Sequence, residues 1–167
     1  MLAGCVSAFC CIFFFLGALI LGVNPLGGTK VISYFIMLCL LFLSLWYFRE
    51  KVLGGVLHFH QGFVFALLVH LIACTAFAFF IWGYLKIDVA LITRHKQESQ
   101  QFMKFMEKEL VKTMGQTSFD QGVKDLNAVM PVDIGFDEFK KRFFILLFFV
   151  LVSAFIMRRS PNWSLSR

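Results

Sequence analysis

The histidine at position 70 is the residue best placed for chemistry, because it stands in the middle of a long apolar run. An ionisable side chain within a membrane-spanning segment marks a functional site by default, with proton transfer or metal binding as the usual roles. The predicted spans hold no second His, Asp or Glu that could relay a proton or share a metal. We therefore favour a neutral His70 that hydrogen-bonds a neighbouring helix, for which the candidate partners are Ser7, Ser33, Ser44 and Ser153.

His70 also belongs to a row of small residues that are four positions apart. The row consists of Gly62, Ala66, His70, Cys74 and Ala78. Residues at this spacing drift around a helix by about 40° per step, which is typical of a seam where two helices cross. We expect the row to be a helix-packing seam.

Other residue types that carry chemistry lack the spacing that chemistry requires. The five cysteines, at positions 5, 10, 11, 39 and 74, form no CxxC pair and no zinc-type pattern, so we expect small apolar roles and no disulfide. His58 and His60 are interpreted as solvated loop residues, with a metal pair as the alternative. There is no nucleophile motif, glycine-rich phosphate loop or HExxH. We expect no catalytic site, no metal, no cofactor and no enzymatic activity.

The composition of the chain indicates that these residues lie in a lipid bilayer. The chain has 167 residues, of which 59% are hydrophobic and 16% charged, whereas soluble domains have about 45–50% and 25%. A single small domain cannot bury so much apolar surface. The same figures exclude a disordered chain, a collagen-like repeat and a disulfide-rich secreted scaffold. We predict one integral membrane domain over residues 1–167.

Four uncharged apolar runs predict four transmembrane helices, at residues 2–23, 31–48, 62–85 and 143–157. A bilayer core needs about 20 residues of helix. The fourth run has 15 residues, which cover about 22 Å, and lies between Lys140, Lys141 and Arg142 on one side and Arg158 and Arg159 on the other. We predict that it spans with the help of these snorkelling cations, and a re-entrant segment is the alternative.

Aromatic and basic residues close the predicted spans in the manner of interface anchors. The anchors are Trp46, Arg49, Lys51, Trp82, Tyr84, Arg158 and Arg159. The net charge of +6 is distributed over these span ends and the long loop. We interpret the cations as topology signals and lipid-headgroup contacts, and expect no nucleic-acid partner. Counts of Lys and Arg leave the orientation open, with a slight preference for both termini in the cytoplasm.

Residues 86–142 form a charged extramembrane loop between the third and fourth spans. Apolar residues at spacings of three and four predict an amphipathic helix over Thr93–Met114. Its apolar side would contact the membrane surface or a partner, or would pack on the end of its own bundle, or the helix would merely extend the third span into water. We expect breaks at Gly115–Gly122 and Pro131–Gly135, and a fourth helix that begins near Phe136 with an acidic residue in its first turn. The fold class is therefore all-α, a polytopic membrane protein.

The segment Tyr47–Phe63, YFREKVLGGVLHFHQGF, carries a family resemblance together with the aromatic exit FFIWGYLKI and the closing Arg158-Arg159-Ser160-Pro161. It resembles a bacterial membrane family, domain of unknown function 4199, seen mainly in Bacteroidetes. The matching features are a basic turn after the second helix, a Gly-Gly pair, a Phe-x-x-Gly entry to the third helix and a short fourth helix with a basic end. The resemblance implies an inner membrane of a Gram-negative bacterium. It implies no activity and no site residues, and His70 is not part of the pattern.

Two functions remain after these exclusions. The leading interpretation is a non-enzymatic membrane component, a partner-binding or assembly subunit that contacts a membrane protein or a second copy of itself. The alternative is a small oligomeric transporter or channel with His70 near the path. The spans offer only scattered Ser, Thr and one His, so an oligomer would have to bring these together to line a pore.

Overall fold

The computed structural model describes residues 2–158 and shows an all-α fold. Its helices, in chain order, are α1 (Leu2–Ile20), α2 (Lys30–Tyr47, continued by a π-helical turn over Phe48–Val52), α3 (Phe59–Ile87), α4 (Val89–Phe105), α5 (Glu107–Met114), α6 (Gln116–Ala128) and α7 (Pro131–Met157). The predicted all-α fold is confirmed.

Three of these helices are long and apolar enough to cross a membrane: α1, α2 with its π-helical turn, and α3. Large apolar side chains on their outer faces, such as Phe13, Phe35 and Phe79, are exposed on the bundle surface. An exposed apolar surface of this kind is typical of helices that cross a membrane. The fourth predicted run, 143–157, forms the C-terminal part of α7 and remains a prediction as a span.

Helix α3 is central to the bundle, and its most extensive contact is with α7. A Cβ on Gly62 would lie 3.8 Å from the Cα of Ala154, and a Cβ on Gly135 would lie 3.3 Å from the carbonyl oxygen of Ala78. Residue numbers therefore rise along α3 as they fall along α7, and the two helices are antiparallel. Helix α1 packs on another side of α3, and α2 contacts α1 and α7.

The apolar core consists of two clusters at opposite ends of the bundle. One cluster contains Phe15, Leu26, Phe77, Ile81 and Leu146, together with Leu91 and Ile92 from α4. The other contains Leu41, Leu45, Leu57, Ala66 and Val150. Because Leu91 and Ile92 enter the first cluster, the first turn of α4 packs on the end of the bundle. These two residues precede the predicted helix 93–114, whose own apolar residues Phe102 and Met114 are exposed.

Several predicted boundaries in the long loop are wrong. Helix α7 begins at Pro131, because proline suits the first position of a helix and the Asp133 carboxylate accepts from the Met130 backbone N–H at 2.8 Å. Pro131–Gly135 is therefore a helical turn and not a break. The helix expected over 93–114 starts earlier and is interrupted at Met106. The break expected over Gly115–Gly122 contracts to Gly115, whose φ is +84°.

Candidate functional site

The deepest charged side chain of the described chain is Arg142, which is only 2% exposed. Its guanidinium carbon lies 4.0 Å from the centre of the Phe77 ring and 4.7 Å from the centre of the Tyr34 ring. Its Nη2 donates to the Ser33 hydroxyl at 2.9 Å. Two aromatic faces and one hydroxyl thus surround a full positive charge, an arrangement that cation–π attraction stabilises strongly when water is excluded.

Arg142 lies inside the apolar part of the bundle. Its neighbour Phe77 precedes Trp82 by five residues on α3, which places Phe77 about 8 Å deeper than that aromatic anchor. The sequence alone predicts that Arg142 lies with Lys140 and Lys141 at the membrane surface. This prediction is wrong for Arg142, which is only 2% exposed because it belongs to the buried row of α7.

Glu138, one turn before Arg142 on α7, compensates the buried positive charge. Glu138 is only 4% exposed, and one of its carboxylate oxygens lies 3.5 Å from Arg142 Nε. The other oxygen lies 3.5 Å from Lys30 Nζ at the start of α2. Removing charges from water is costly unless they are paired in this way. We call Lys30, Ser33, Tyr34, Glu138 and Arg142 the charge cluster.

The charge cluster retains hydrogen-bonding capacity. Arg142 Nη1 and the Tyr34 hydroxyl are buried and have no hydrogen-bond partner within residues 2–158. An unmade hydrogen bond on a buried group costs about 1–3 kcal/mol. The cluster therefore has donors that a water molecule or a polar ligand would satisfy.

A cavity of about 880 Å³ lies next to the charge cluster, on the side of α4 and α6. Lys30 and Glu138 belong to both the cluster and the cavity wall. The other walls come from the segment after α1, from α4 and α6, and from the first turns of α7; they include Leu26, Gly27, His95, Lys96, Phe102, Met103, Val129, Asp137, Lys140 and Lys141. The volume lies in the range of small-molecule sites, about 300–1,000 Å³.

Helix α4 is fixed over this cavity by a short polar network. The Asn24 amide donates to Glu98 at 2.6 Å, and its oxygen accepts from the Leu26 backbone N–H at 3.0 Å. Arg94 forms an ion pair with Glu98 at 3.1 Å and donates to the Gly22 carbonyl at 3.0 Å. The network ties α4 to the segment that joins α1 and α2.

His95 on the cavity wall has a lowered pKa. Burial is the main cause, because it disfavours the charged imidazolium, and the nearby Lys30 acts in the same direction. Glu138 and Glu98 oppose these effects. The sequence analysis did not single out His95, since nothing in its local pattern marks it as half-buried.

His70 lies on α3, buried against α7. Its Nε2 is 3.4 Å from the Phe143 carbonyl oxygen and 3.5 Å from the Cys74 sulfur. The expected serine partners are wrong: each of the four serines donates to a carbonyl of its own helix, as Ser and Thr in apolar helices commonly do. Phe143 follows Arg142, so His70 is next to the charge cluster along α7.

The predicted seam lies where α3 meets α7. Gly62, Ala66 and Cys74 are buried like His70, and Ala78 is partly buried. Gly62 faces Ala154 and Ala78 faces Gly135, so small residues stand opposite one another at both ends of the contact. This is the composition that allows membrane helices to approach closely.

The predicted interface anchors are distributed over both ends of the bundle. Arg49 pairs with Glu50 at 2.8 Å and reaches the Met157 sulfur at 3.7 Å, while Lys51, Trp46 and Arg158 are exposed. At the other end, Lys86 Nζ lies 4.1 Å from the Trp82 ring centre, and the Tyr84 hydroxyl donates to Asp88 at 3.5 Å. Arg159 lies outside the described residues.

The remaining candidate metal ligands are not assembled into a site. The His58 and His60 rings are 6.0 Å apart, and His58 contacts Gln61. Within residues 2–158, no three His, Cys, Asp or Glu side chains are placed to hold a metal ion together.

Glu138 and Arg142 are the site residues that the sequence analysis missed. A signal for them exists on α7: a row of residues at steps of four that are all buried, namely Ile134, Glu138, Arg142, Leu146, Val150 and Ala154. Two charges within such a row predict a buried ion pair, provided that the helix is known to start at Pro131.

Comparison with known proteins identifies one family. The sequence model described as "Protein of unknown function (DUF4199)" matches residues 2–159. No curated protein matches, and no solved structure matches. The family suggested by Tyr47–Phe63 is thus confirmed.

Proposed function

Because the chain belongs to the DUF4199 family, for which no function is defined, we propose a function from the geometry: a non-enzymatic component of a bacterial inner membrane with four spans that binds or assembles a partner protein. The partner is another membrane protein or a second copy of this chain. The proposal has two parts, the fourth span and the partner surface.

The fourth span in this proposal is Phe143–Met157 of α7. It packs along α3 and α2. Phe144, Phe148 and Phe155 are exposed on its outer face, and the outer faces of the other spans expose large apolar side chains in the same way. Its 15 residues cover about 22 Å, and the Arg158 side chain adds to this length by reaching beyond the end of the helix. With four spans, both termini lie on one side of the membrane and α4–α6 lie on the other.

The partner surface is carried by the end of α4. Phe105 is 85% exposed and Phe102 is 64% exposed, although α4 is fixed to the bundle through Leu91, Ile92 and the Asn24–Glu98 contact. Exposed aromatic side chains on a rigidly held extramembrane helix are typical of a protein contact. The exposure of Phe105 is the observation that carries the proposal.

The test places a photo-crosslinking amino acid at Phe105 in the native membrane. The matched control has the same amino acid at Gln97, an exposed position about two turns earlier on α4. We expect a discrete crosslinked species from position 105 alone, and a stoichiometric partner of the same mass after gentle detergent extraction and mass spectrometry. Crosslinks to lipid alone from both positions would contradict the proposal.

A small oligomeric transporter is the second candidate, and the cavity over the charge cluster favours it. Glu138 lines this cavity and lies one helical turn before Arg142 on α7. In the opposite half of the described bundle the core consists of apolar residues such as Leu57, Ala66 and Val150, so a continuous path would need several copies. Comparing His70→Leu with wild type in proteoliposomes separates the candidates: loss of pH-dependent flux with unchanged assembly supports transport, and loss of assembly alone supports packing.

A further inference from the structure

An apolar groove of about 440 Å³ runs between α3 and α7 on the outer surface of the bundle. Ala78, Phe79 and Trp82 form one wall, and Val132, Gly135 and Phe136 form the other. The groove exists because Gly135 and Ala78 bring the two backbones into contact, since a Cβ on Gly135 would lie 3.2 Å from Trp82 Cβ. The larger aromatic residues on either side then stand out as walls.

Two lysines flank this groove, one on each wall. Lys86 Nζ lies 4.1 Å from the centre of the Trp82 ring, and Lys140 Nζ lies 4.9 Å from the centre of the Phe136 ring. Within residues 2–158 neither ammonium group is in ion-pair distance of a carboxylate. Asp137, which neighbours Lys140 on α7, is engaged by Lys141.

The groove is apolar, and a lysine without a carboxylate partner stands on each side of it. These features are complementary to an anionic phospholipid. A phospholipid acyl chain fills the apolar part, and a negatively charged headgroup meets the lysines, each of which adds about fivefold to affinity for anionic lipid. We propose that the α3–α7 groove is a specific binding site for an anionic phospholipid, with its acyl chain between Trp82 and Phe136 and its phosphate at Lys86 and Lys140.

Trp82 provides a reporter for this site. In a variant that carries Trp46→Phe and Trp163→Phe, Trp82 is the remaining tryptophan. The protein is reconstituted in phosphatidylcholine vesicles that contain a small, equal fraction of either brominated phosphatidylglycerol or brominated phosphatidylcholine. Bromine quenches tryptophan on contact, so we expect the phosphatidylglycerol to quench Trp82 at a severalfold lower fraction.

Variants of the two lysines test the headgroup contact. Lys86→Gln with Lys140→Gln should abolish the preference for phosphatidylglycerol, and Lys86→Arg with Lys140→Arg should retain it. Lys104→Gln with Lys112→Gln, on exposed positions of α4 and α5, is the control with equal charge and should also retain it. Equal quenching by both lipids in the wild-type background, or loss of the preference in the control, would overturn the proposal.

Discussion

The Arg142 guanidinium lies 4.0 Å above the Phe77 ring, and this contact joins the last helix of the described chain to the central one. The arginine reaches it from α7 while Ser33 of α2 accepts its hydrogen bond at 2.9 Å. One side chain thus holds three helices together at a depth where water is scarce. Its energetic contribution depends on Glu138, which supplies the negative charge.

Removing the Glu138 carboxylate should destabilise the protein more than removing the whole ion pair. Glu138→Leu leaves the Arg142 charge buried without its counterion, which costs about 3–5 kcal/mol, whereas Glu138→Leu with Arg142→Met leaves no uncompensated charge in the core. The measurement is thermal unfolding in detergent. Asp137→Leu with Lys141→Met removes the neighbouring half-exposed pair and serves as the control, with an expected cost below about 1 kcal/mol. A Glu138→Leu variant as stable as this control would refute the buried pair.

Gly4 should tolerate no side chain, although it lies in a simple apolar helix. A Cβ there would lie 2.9 Å from the Val69 carbonyl oxygen and 2.9 Å from Ile72 Cβ on α3. Gly4→Ala should therefore force α1 away from α3 and lower the free energy of unfolding by about 1–3 kcal/mol. Gly17→Ala on the same helix has open space and should be neutral or slightly stabilising. Equal melting temperatures for the two variants would show that α1 packs differently.

The stability of the protein should fall as the pH drops below about 6.5, in part because of His95. Burial holds the His95 pKa below its usual range, so the unfolded chain binds more protons than the folded chain between the two pKa values. The contribution of uncharged His95 to the free energy of unfolding is complete above the pKa that His95 has in the unfolded chain. This contribution is lost as the pH falls from that pKa to the lower pKa of the folded chain. Melting temperatures at pH 7.5 and 5.5 should differ less in His95→Gln than in wild type. Gln97→Ala, at an exposed position on the same helix, should leave the difference unchanged.

Asn24 should control the attachment of α4 to the bundle. Asn24→Ala removes the 2.6 Å contact to Glu98 and leaves the Leu26 backbone N–H without its acceptor, which costs about 1–3 kcal/mol. Hydrogen exchange followed by mass spectrometry should show faster exchange in residues 21–29 and in the first turns of α4. Gln116→Ala, which removes an exposed contact to Asp120, is the control. Unchanged exchange in Asn24→Ala would mean that Leu91 and Ile92 hold α4 without help.

The sequence predicts the apolar helices well because their signal is local. The runs 2–23, 31–48 and 62–85 differ from α1, α2 and α3 by a few residues at each end, since charge and proline mark these boundaries. The burial of Glu138 and Arg142 is not local. It depends on Tyr34, Ser33 and Phe77, which the fold brings from two other helices, so a charge near a predicted span end is indistinguishable from a surface anchor until the helix partners are known. The α7 boundary adds to the difficulty, because Pro131 reads as a break in the sequence although it is the first residue of α7.

The position of α7 at the end of the described chain also has a consequence for biogenesis. Lys30, Ser33 and Tyr34 are synthesised and inserted about a hundred residues before the arginine that they surround. Until α7 has been synthesised, the face of α3 that it contacts is exposed. A chaperone or lipid must occupy that face of the nascent bundle. The contact of α7 with α2 and α3 is thus what completes the burial of Arg142. A chain that ended after α6 would keep α1, α2 and α3 but would leave uncovered the faces of α2 and α3 that contact α7.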